Sequence, residues 1–227
     1  SSIVTALDPG WRPRALEIGA GTGALGLSIA ACGAVSSMIS TDMPAVLPLT
    51  AANIEKNQDA LAKTGAVVAA APLLWRANTR DVVTQLRNIQ ACVAAEHFPL
   101  ELIVGSDIVY RDDTTDVDLG EEAATQGGSQ ADKVLGTLVA LLAAGSMRVA
   151  LLALGDHASG NVAAFVQRAR TQHGLRISFL GADDAAYGSA VVDRRHKAAI
   201  AQIAAEARAM HPTMIILRAE APPETER

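Results

Sequence analysis

Aromatic side chains make up only 3% of the 227 residues, and cysteine occurs just twice, at Cys32 and Cys92. Two cysteines exclude a multi-bridge disulfide framework, and their isolation gives no zinc-ligand spacing. Both stand in apolar stretches of helical composition and are expected to be buried as small hydrophobes of a reducing compartment. Runs of basic residues are also missing. With 19 Lys and Arg against 24 Asp and Glu, the formal net charge is -5. No broad basic surface is available to neutralise phosphates, so nucleic acid is not expected as a partner. The chain has no uninterrupted apolar span long enough for a membrane helix and no basic leader followed by an apolar core. A soluble intracellular protein without membrane association is the expectation.

Aliphatic residues fill the place of aromatics. Half of the chain is hydrophobic, which suits a core of many small contacts between helices and a sheet. Four short apolar runs open the chain: Ala15–Ile18, Val35–Thr41, Gly65–Ala71 and Leu100–Val104. Helical patterns at Ala24–Cys32, Val46–Asn57 and Asp81–Ala95 separate them, and the crossovers are long enough for parallel pairing. After Tyr110 the periodicity collapses. Residues 111–131 are polar and Gly-rich, and the stretch from Asp107 to Glu122 is acidic, with Asp107, Asp112, Asp113, Asp116, Asp118, Glu121 and Glu122. It reads as a mobile surface loop. Order resumes with helices at Lys133–Ala143, Val162–Arg170 and Arg194–Met210, and strands at Met147–Leu154, Arg176–Leu180 and Thr213–Leu217. Seven strands with helices on both faces predict an α/β fold with a doubly wound, Rossmann-like sheet. Residues 1–220 are expected to form a single domain, and residues 221–227 a flexible tail.

The sharpest local signal is Glu17-Ile18-Gly19-Ala20-Gly21-Thr22-Gly23, between the first strand and the first helix. In this reading Gly19 permits the tight turn, Gly21 lets a ligand approach the backbone, and Gly23 lets the helix pack closely on the sheet. The spacing suits a nucleoside or dinucleotide, and glycines alone do not separate NAD from S-adenosylmethionine. Asp42, at the end of the second strand, can accept hydrogen bonds from ribose hydroxyls or cap a helix before Pro44. Glu17 disfavours a pyrophosphate by its charge and suits the sulfonium and amino group of S-adenosylmethionine. Bonding to neighbouring backbone N–H groups is its structural alternative.

These residues resemble the seven-β-strand protein-lysine methyltransferases of the methyltransferase family 16-like group. Leu16 to Gly23 is similar to that family's first motif. Thr41-Asp42-Met43-Pro44, Leu47-Pro48-Leu49, Asn53 and Asn57 resemble its following helix. Leu74-Trp75 resembles an element near the adenine, and Ser106-Asp107-Ile108-Val109-Tyr110 resembles its Asp-x-x-Tyr motif. The resemblance runs from residue 16 to 110. It implies S-adenosyl-L-methionine as cofactor, held by Glu17, Gly19, Gly21, Gly23, Asp42, Trp75 and Ser106. It also implies a protein substrate methylated on lysine, with Asp107 and Tyr110 shaping the acceptor end, and a monomer of the cytoplasm or nucleus. Departures from the family are the short stretch of about fourteen residues before the first strand, an extra helix after Trp75, Arg111 in place of a common proline, and Leu154-Gly155-Asp156-His157 where relatives have an arginine-containing segment.

Read without the resemblance, Asp107 and Tyr110 still fall beyond the carboxyl end of the fourth strand, where open α/β sheets place ligands. A strand-ending turn and a core tyrosine are the alternative. Asp107 and Asp156-His157 are too few and too scattered to predict a metal. A small-molecule methyltransferase, an NAD-dependent enzyme and a non-catalytic cofactor-binding interaction module remain open at this point. The acidic 112–122 stretch suits contact with a basic partner.

Overall fold

The computed structural model describes residues 12–109, 129–144, 147, 149–155, 161–179 and 215–221. The elements in chain order are β1 (Arg14–Ile18), α1 (Ala24–Ala31), β2 (Ser37–Asp42), α2 (Leu47–Lys56), α3 (Gln58–Thr64), β3 (Val67–Pro72), α4 (Thr79–Cys92), β4 (Leu102–Ser106), α5 (Gln130–Ala143), β5 (Val149–Leu154), α6 (Asn161–His173), β6 (Arg176–Phe179) and β7 (Ile215–Glu220). One sheet of seven strands takes the order β3-β2-β1-β4-β5-β7-β6. The first five strands pair in parallel, and β7 runs antiparallel to both β5 and β6. The expected Rossmann-like α/β architecture is what forms. Its antiparallel β7, inserted between β5 and β6, departs from the all-parallel 3-2-1-4-5-6 dinucleotide order.

Burial on both faces explains why the central strands are readable as apolar runs. Alternate residues of each strand feed two cores. Leu16, Ile18, Ile39 and Ile103 meet Val82 and Ile89 of α4, Leu135 and Leu138 of α5, and Phe165 of α6. Ala15, Met38, Leu102 and Val104 face Leu25 and Ile29 of α1, Ile54 of α2 and Leu61 of α3. Glu17 and Ser40 fall, by the same alternation, on the α1 side.

Several boundaries differ from expectation for local reasons. The chain does not connect α2 directly to β3: Asn57 ends one helix and starts another, α3, whose Thr64 hydroxyl donates to the carbonyls of Leu61 and Ala30. α4 begins at Thr79 because the Asn78 side chain accepts from the Arg80 N–H. The start of α5 lies at Gln130, earlier than Lys133, under a Ser129–Asp132 capping box that Arg168 of α6 also engages. The cysteines correct the burial expectation. Cys32 caps α1 and Cys92 is the last residue of α4, so both thiols emerge at helix ends and are exposed.

The helix expected at 194–210, the loop expected over 111–131 as far as residue 128, the tail at 222–227, and Tyr110, Asp156 and His157 lie outside the described residues. Among the described residues no helix is long and apolar enough to cross a membrane, and no group of side chains is arranged to hold a metal.

Candidate cofactor site

The site grows from the carboxyl edge of β1 to β4. β1 lies between β2 and β4, so the connections leave it in opposite directions and open a crevice at its carboxyl end. The glycine loop rises there. Gly19 has φ of 67°, and a Cβ on it would sit 2.7 Å from Cζ2 of Trp75 and 2.9 Å from Cγ2 of Ile108. Glycine is therefore required twice, by conformation and by the indole packed against it. Gly21 has φ of 54° with no neighbouring atom within 4 Å of its Cβ position. Its outer side is open, as ligand approach requires.

Neighbouring elements fix the loop through its backbone. The Ala20 N–H donates to the Thr41 carbonyl at 3.0 Å, and the Gly23 N–H to the Ala20 carbonyl at 2.7 Å. From α2, the Thr50 hydroxyl donates to the Gly21 carbonyl at 2.7 Å and the Asn53 amide to the Thr22 carbonyl at 2.8 Å. Asn57 in turn donates to the Asn53 carbonyl. Asp42, half-buried at the end of β2, accepts from the Gly21 N–H on Oδ2 and from its neighbour Met43 on Oδ1, both at 2.7 Å. Each carboxylate oxygen keeps further acceptor capacity.

Glu17 is placed differently from its expected contact with a cofactor. Its carboxylate is only 2% exposed and turns beneath the loop, accepting from the Ser40 hydroxyl at 2.6 Å and the Gly26 N–H at 3.1 Å. This is the backbone-bonded alternative. Both of its oxygens are engaged there, tying α1 to β2 through Gly26 and Ser40. Gly26, which sequence reasoning passed over, carries the close helix-to-sheet approach that had been assigned to Gly23: a Cβ on Gly26 would meet the Glu17 carboxylate, and Ser40 Oγ at 2.7 Å. Gly23 is the N-cap of α1.

Burial raises the Glu17 pKa to about 7, against the lowering by its Ser40 and Gly26 bonds, with Asp42 adding a further push upward. A folded pKa raised above the unfolded value gives stability that is fully present below pH 4.5 and is lost as pH rises through about 7. Glu17→Gln removes the titration. The mutant-minus-wild-type stability should therefore climb between pH 5 and pH 8, by up to about 3 kcal/mol if the whole shift is expressed. Urea midpoints across that range measure it, and a flat difference would contradict the assignment. Taking the difference also cancels buried His97, which hydrogen-bonds Ser37. Its pKa is lowered by burial against a raising effect from Glu96, so its contribution is lost as pH falls.

Beyond β3, Leu74 and Trp75 enter the crevice from the side of the sheet that faces α4 and α5. Trp75 is half-buried and packs against the core there. Beyond β4, Ser106 is the last strand residue and Asp107 the first outside it. Asp107 adopts φ of 53°, and among the described residues it alone does so without being glycine. Its N–H donates to the Ala153 carbonyl of β5 at 2.7 Å, which fixes the turn. Left-handed backbone costs a non-glycine residue about 1–2 kcal/mol, least for Asp and Asn. Of the expected site residues, Gly19, Gly21, Gly23, Asp42, Trp75, Ser106 and Asp107 are thus brought to one edge of the sheet. Glu17 lies beneath that edge, and Tyr110 is not among the described residues.

A family comparison bears on the same part of the chain. A family model described as lysine methyltransferase matches residues 11–119, the stretch that builds the glycine loop, Asp42, Trp75 and Asp107. Over that segment the chain matches the family that its motifs resemble. No curated protein matches it significantly. Among solved structures, the methyltransferase domain of bacterial CtHen1-C is 9% identical, with 92% of this chain and 89% of that one covered and a TM-score of 0.46. Human methyltransferase 10 domain containing protein is 12% identical over 94% of this chain and 73% of its own, with a TM-score of 0.40. A short-chain dehydrogenase from Oenococcus oeni is 16% identical over 60% and 58%, with a TM-score of 0.37. Likenesses this distant carry no weight of their own.

Proposed function

We propose that the protein is an S-adenosylmethionine-dependent methyltransferase acting on a lysine side chain of a protein substrate. The observation that carries this is the convergence of Gly19, Asp42, Trp75 and Asp107 from four parallel strands onto one crevice, within a segment that matches the lysine methyltransferase family model. The residues fit the cofactor. The Gly19 turn and the open Gly21 form a cradle that a Cβ would fill, Asp42 has acceptor capacity for ribose hydroxyls, and Trp75 offers a flat apolar wall for a nucleobase. Carboxylates at Asp42 and Asp107 suit a ligand bearing a sulfonium and an ammonium. When bound, S-adenosylmethionine supplies an already activated methyl group, so neither a metal nor a covalent nucleophile on the protein is needed.

The protein's own task is alignment and exclusion of water. Asp107, fixed at the β4 end by its bond to Ala153, attracts and orients the acceptor amine. A carboxylate beside an ammonium favours the protonated form, so Asp107 acts as a guide. Proton loss is assigned to desolvation of the lysine and release to solvent. Tyr110 is proposed as the wall of the acceptor channel on the strength of the Asp-x-x-Tyr spacing.

Titration calorimetry with S-adenosylmethionine and NAD, followed by incubation with lysate and radiolabelled S-adenosylmethionine, tests the proposal. Tight binding of S-adenosylmethionine, much weaker binding of NAD and label on a protein lysine are expected. Asp42→Ala should weaken S-adenosylmethionine by roughly 1–3 kcal/mol, the scale of a charged hydrogen bond. Equal or tighter NAD binding would overturn the cofactor. Label on arginine, nucleic acid or a metabolite would overturn the acceptor, and no transfer by a cofactor-bound protein would favour a non-catalytic binding module.

A further inference from the structure

The segment carrying Trp75 leaves the sheet after Pro72, so its backbone groups need new partners. They find them in three elements. The Leu73 N–H donates to the Asp42 carbonyl at 3.0 Å. One side-chain amide, Gln85 of α4, takes both backbone groups of Leu74: its Oε1 accepts from the N–H at 2.7 Å, and its Nε2 donates to the carbonyl at 3.1 Å. From α5, the fully buried Thr137 accepts from the Arg76 N–H at 3.0 Å, while its hydroxyl proton goes to the Lys133 carbonyl. At Gly136 the helix approaches so closely that a Cβ would lie 2.5 Å from the Arg76 carbonyl and 2.6 Å from that of Ala77. Trp75 is thus clamped on both sides, and its indole leaves no room for a Cβ on Gly19.

We propose that Gln85 and Thr137 are positioning residues that hold Trp75 as a rigid wall of the cofactor crevice and so set cofactor affinity without touching the cofactor. This rests on the S-adenosylmethionine reading above. It gives a task to α4, the extra helix that separates this chain from its family resemblance. The physical advantage is preorganisation: an indole already fixed against the glycine loop loses little freedom when a nucleobase settles on it. Gln85 suits the task because a primary amide both accepts and donates, matching the N–H and C=O of one residue as a neighbouring strand would.

The experiment uses the full chain in a Trp11→Phe background, which leaves Trp75 as the sole tryptophan. Gln85→Leu should lower the fluorescence anisotropy of Trp75 in the free protein and weaken S-adenosylmethionine about tenfold by calorimetry, the scale of two lost neutral hydrogen bonds. Thr137→Val should act in the same direction, whereas Thr137→Ser, which keeps the hydroxyl, should restore wild-type affinity. A merely structural role is separated by a double-mutant cycle: with Trp75→Ala already present, Gln85→Leu should produce no further loss of affinity. Equal losses with and without Trp75 would overturn the proposal, as would unchanged anisotropy and unchanged affinity in a variant whose urea midpoint shows it folded. If Gln85→Leu does not fold, the Thr137→Val and Thr137→Ser pair decides by the same readouts. Failure of wild-type protein to bind S-adenosylmethionine would remove the function and this inference together, whereas failure of the cycle in a cofactor-binding protein removes this inference alone.

Discussion

Gly19→Ala should abolish measurable S-adenosylmethionine binding and lower the unfolding midpoint at the same time. The backbone at φ of 67° becomes strained for any residue with a Cβ, and that carbon would lie 2.7 Å from the indole of Trp75 and 2.9 Å from Ile108. Left-handed strain costs about 1–2 kcal/mol, and overpacking adds about 1–3 kcal/mol. Trp75 cannot retreat freely, because Leu73, Leu74 and Arg76 are hydrogen-bonded on either side of it. The expected loss of stability is therefore about 2–5 kcal/mol, and that of affinity at least about 100-fold, since ~3 kcal/mol of displaced wall corresponds to two decades. Gly21→Ala is the control. No atom lies within 4 Å of its Cβ position, so it should lose only the strain of about 1–2 kcal/mol in stability, yet still hinder a ligand on its open side. Urea titrations beside calorimetry would show the difference. A Gly19→Ala protein with wild-type midpoint and affinity would refute the packed-loop geometry.

That contrast also marks where sequence reasoning reached and where it stopped. The strands were legible because parallel strands covered on both faces are rich in apolar residues: β1 and β4 show this, and β2 buries Met38 and Ile39 beside Ser37, Ser40 and Thr41. The glycine loop and Asp42 were legible because turn chemistry is local. Glu17 was misplaced because a carboxylate's orientation depends on which sheet face it occupies and on what covers it, here Gly26 and Ser40. α3 escaped notice because Asn57 serves two helices in succession. Thr50, Gln85 and Thr137 carry no motif. Their importance lies in hydrogen bonds to backbone groups 29, 11 and 61 residues away, and only the fold creates those proximities. A polar side chain on a helix face otherwise apolar was the one available signal, and Thr137 among Val134, Leu135, Leu138 and Leu141 of α5 gives it.

Asp107 offers the second large effect, and its backbone decides how it must be tested. With φ of 53°, an Asp107→Ala protein suffers both strain and loss of charge, so lost activity would have two explanations. Asn tolerates the left-handed region nearly as well as Asp, and Gly tolerates it fully. Asp107→Asn keeps the shape and removes the charge; Asp107→Gly keeps the turn and removes the side chain. The N–H bond to Ala153 is a backbone contact and survives in both. If Asp107 orients the acceptor amine, single-turnover methyl transfer should fall by about 10- to 100-fold in each, the loss expected for one charge-assisted hydrogen bond. A folded midpoint near wild type should accompany that fall. Transfer would be measured with radiolabelled S-adenosylmethionine on the labelled substrate, after calorimetry has shown cofactor bound at saturating concentration. Wild-type transfer by Asp107→Gly would mean that the position needs only a left-handed turn. The carboxylate would then have no part in receiving the lysine, and the acceptor assignment would have to move elsewhere on the carboxyl edge.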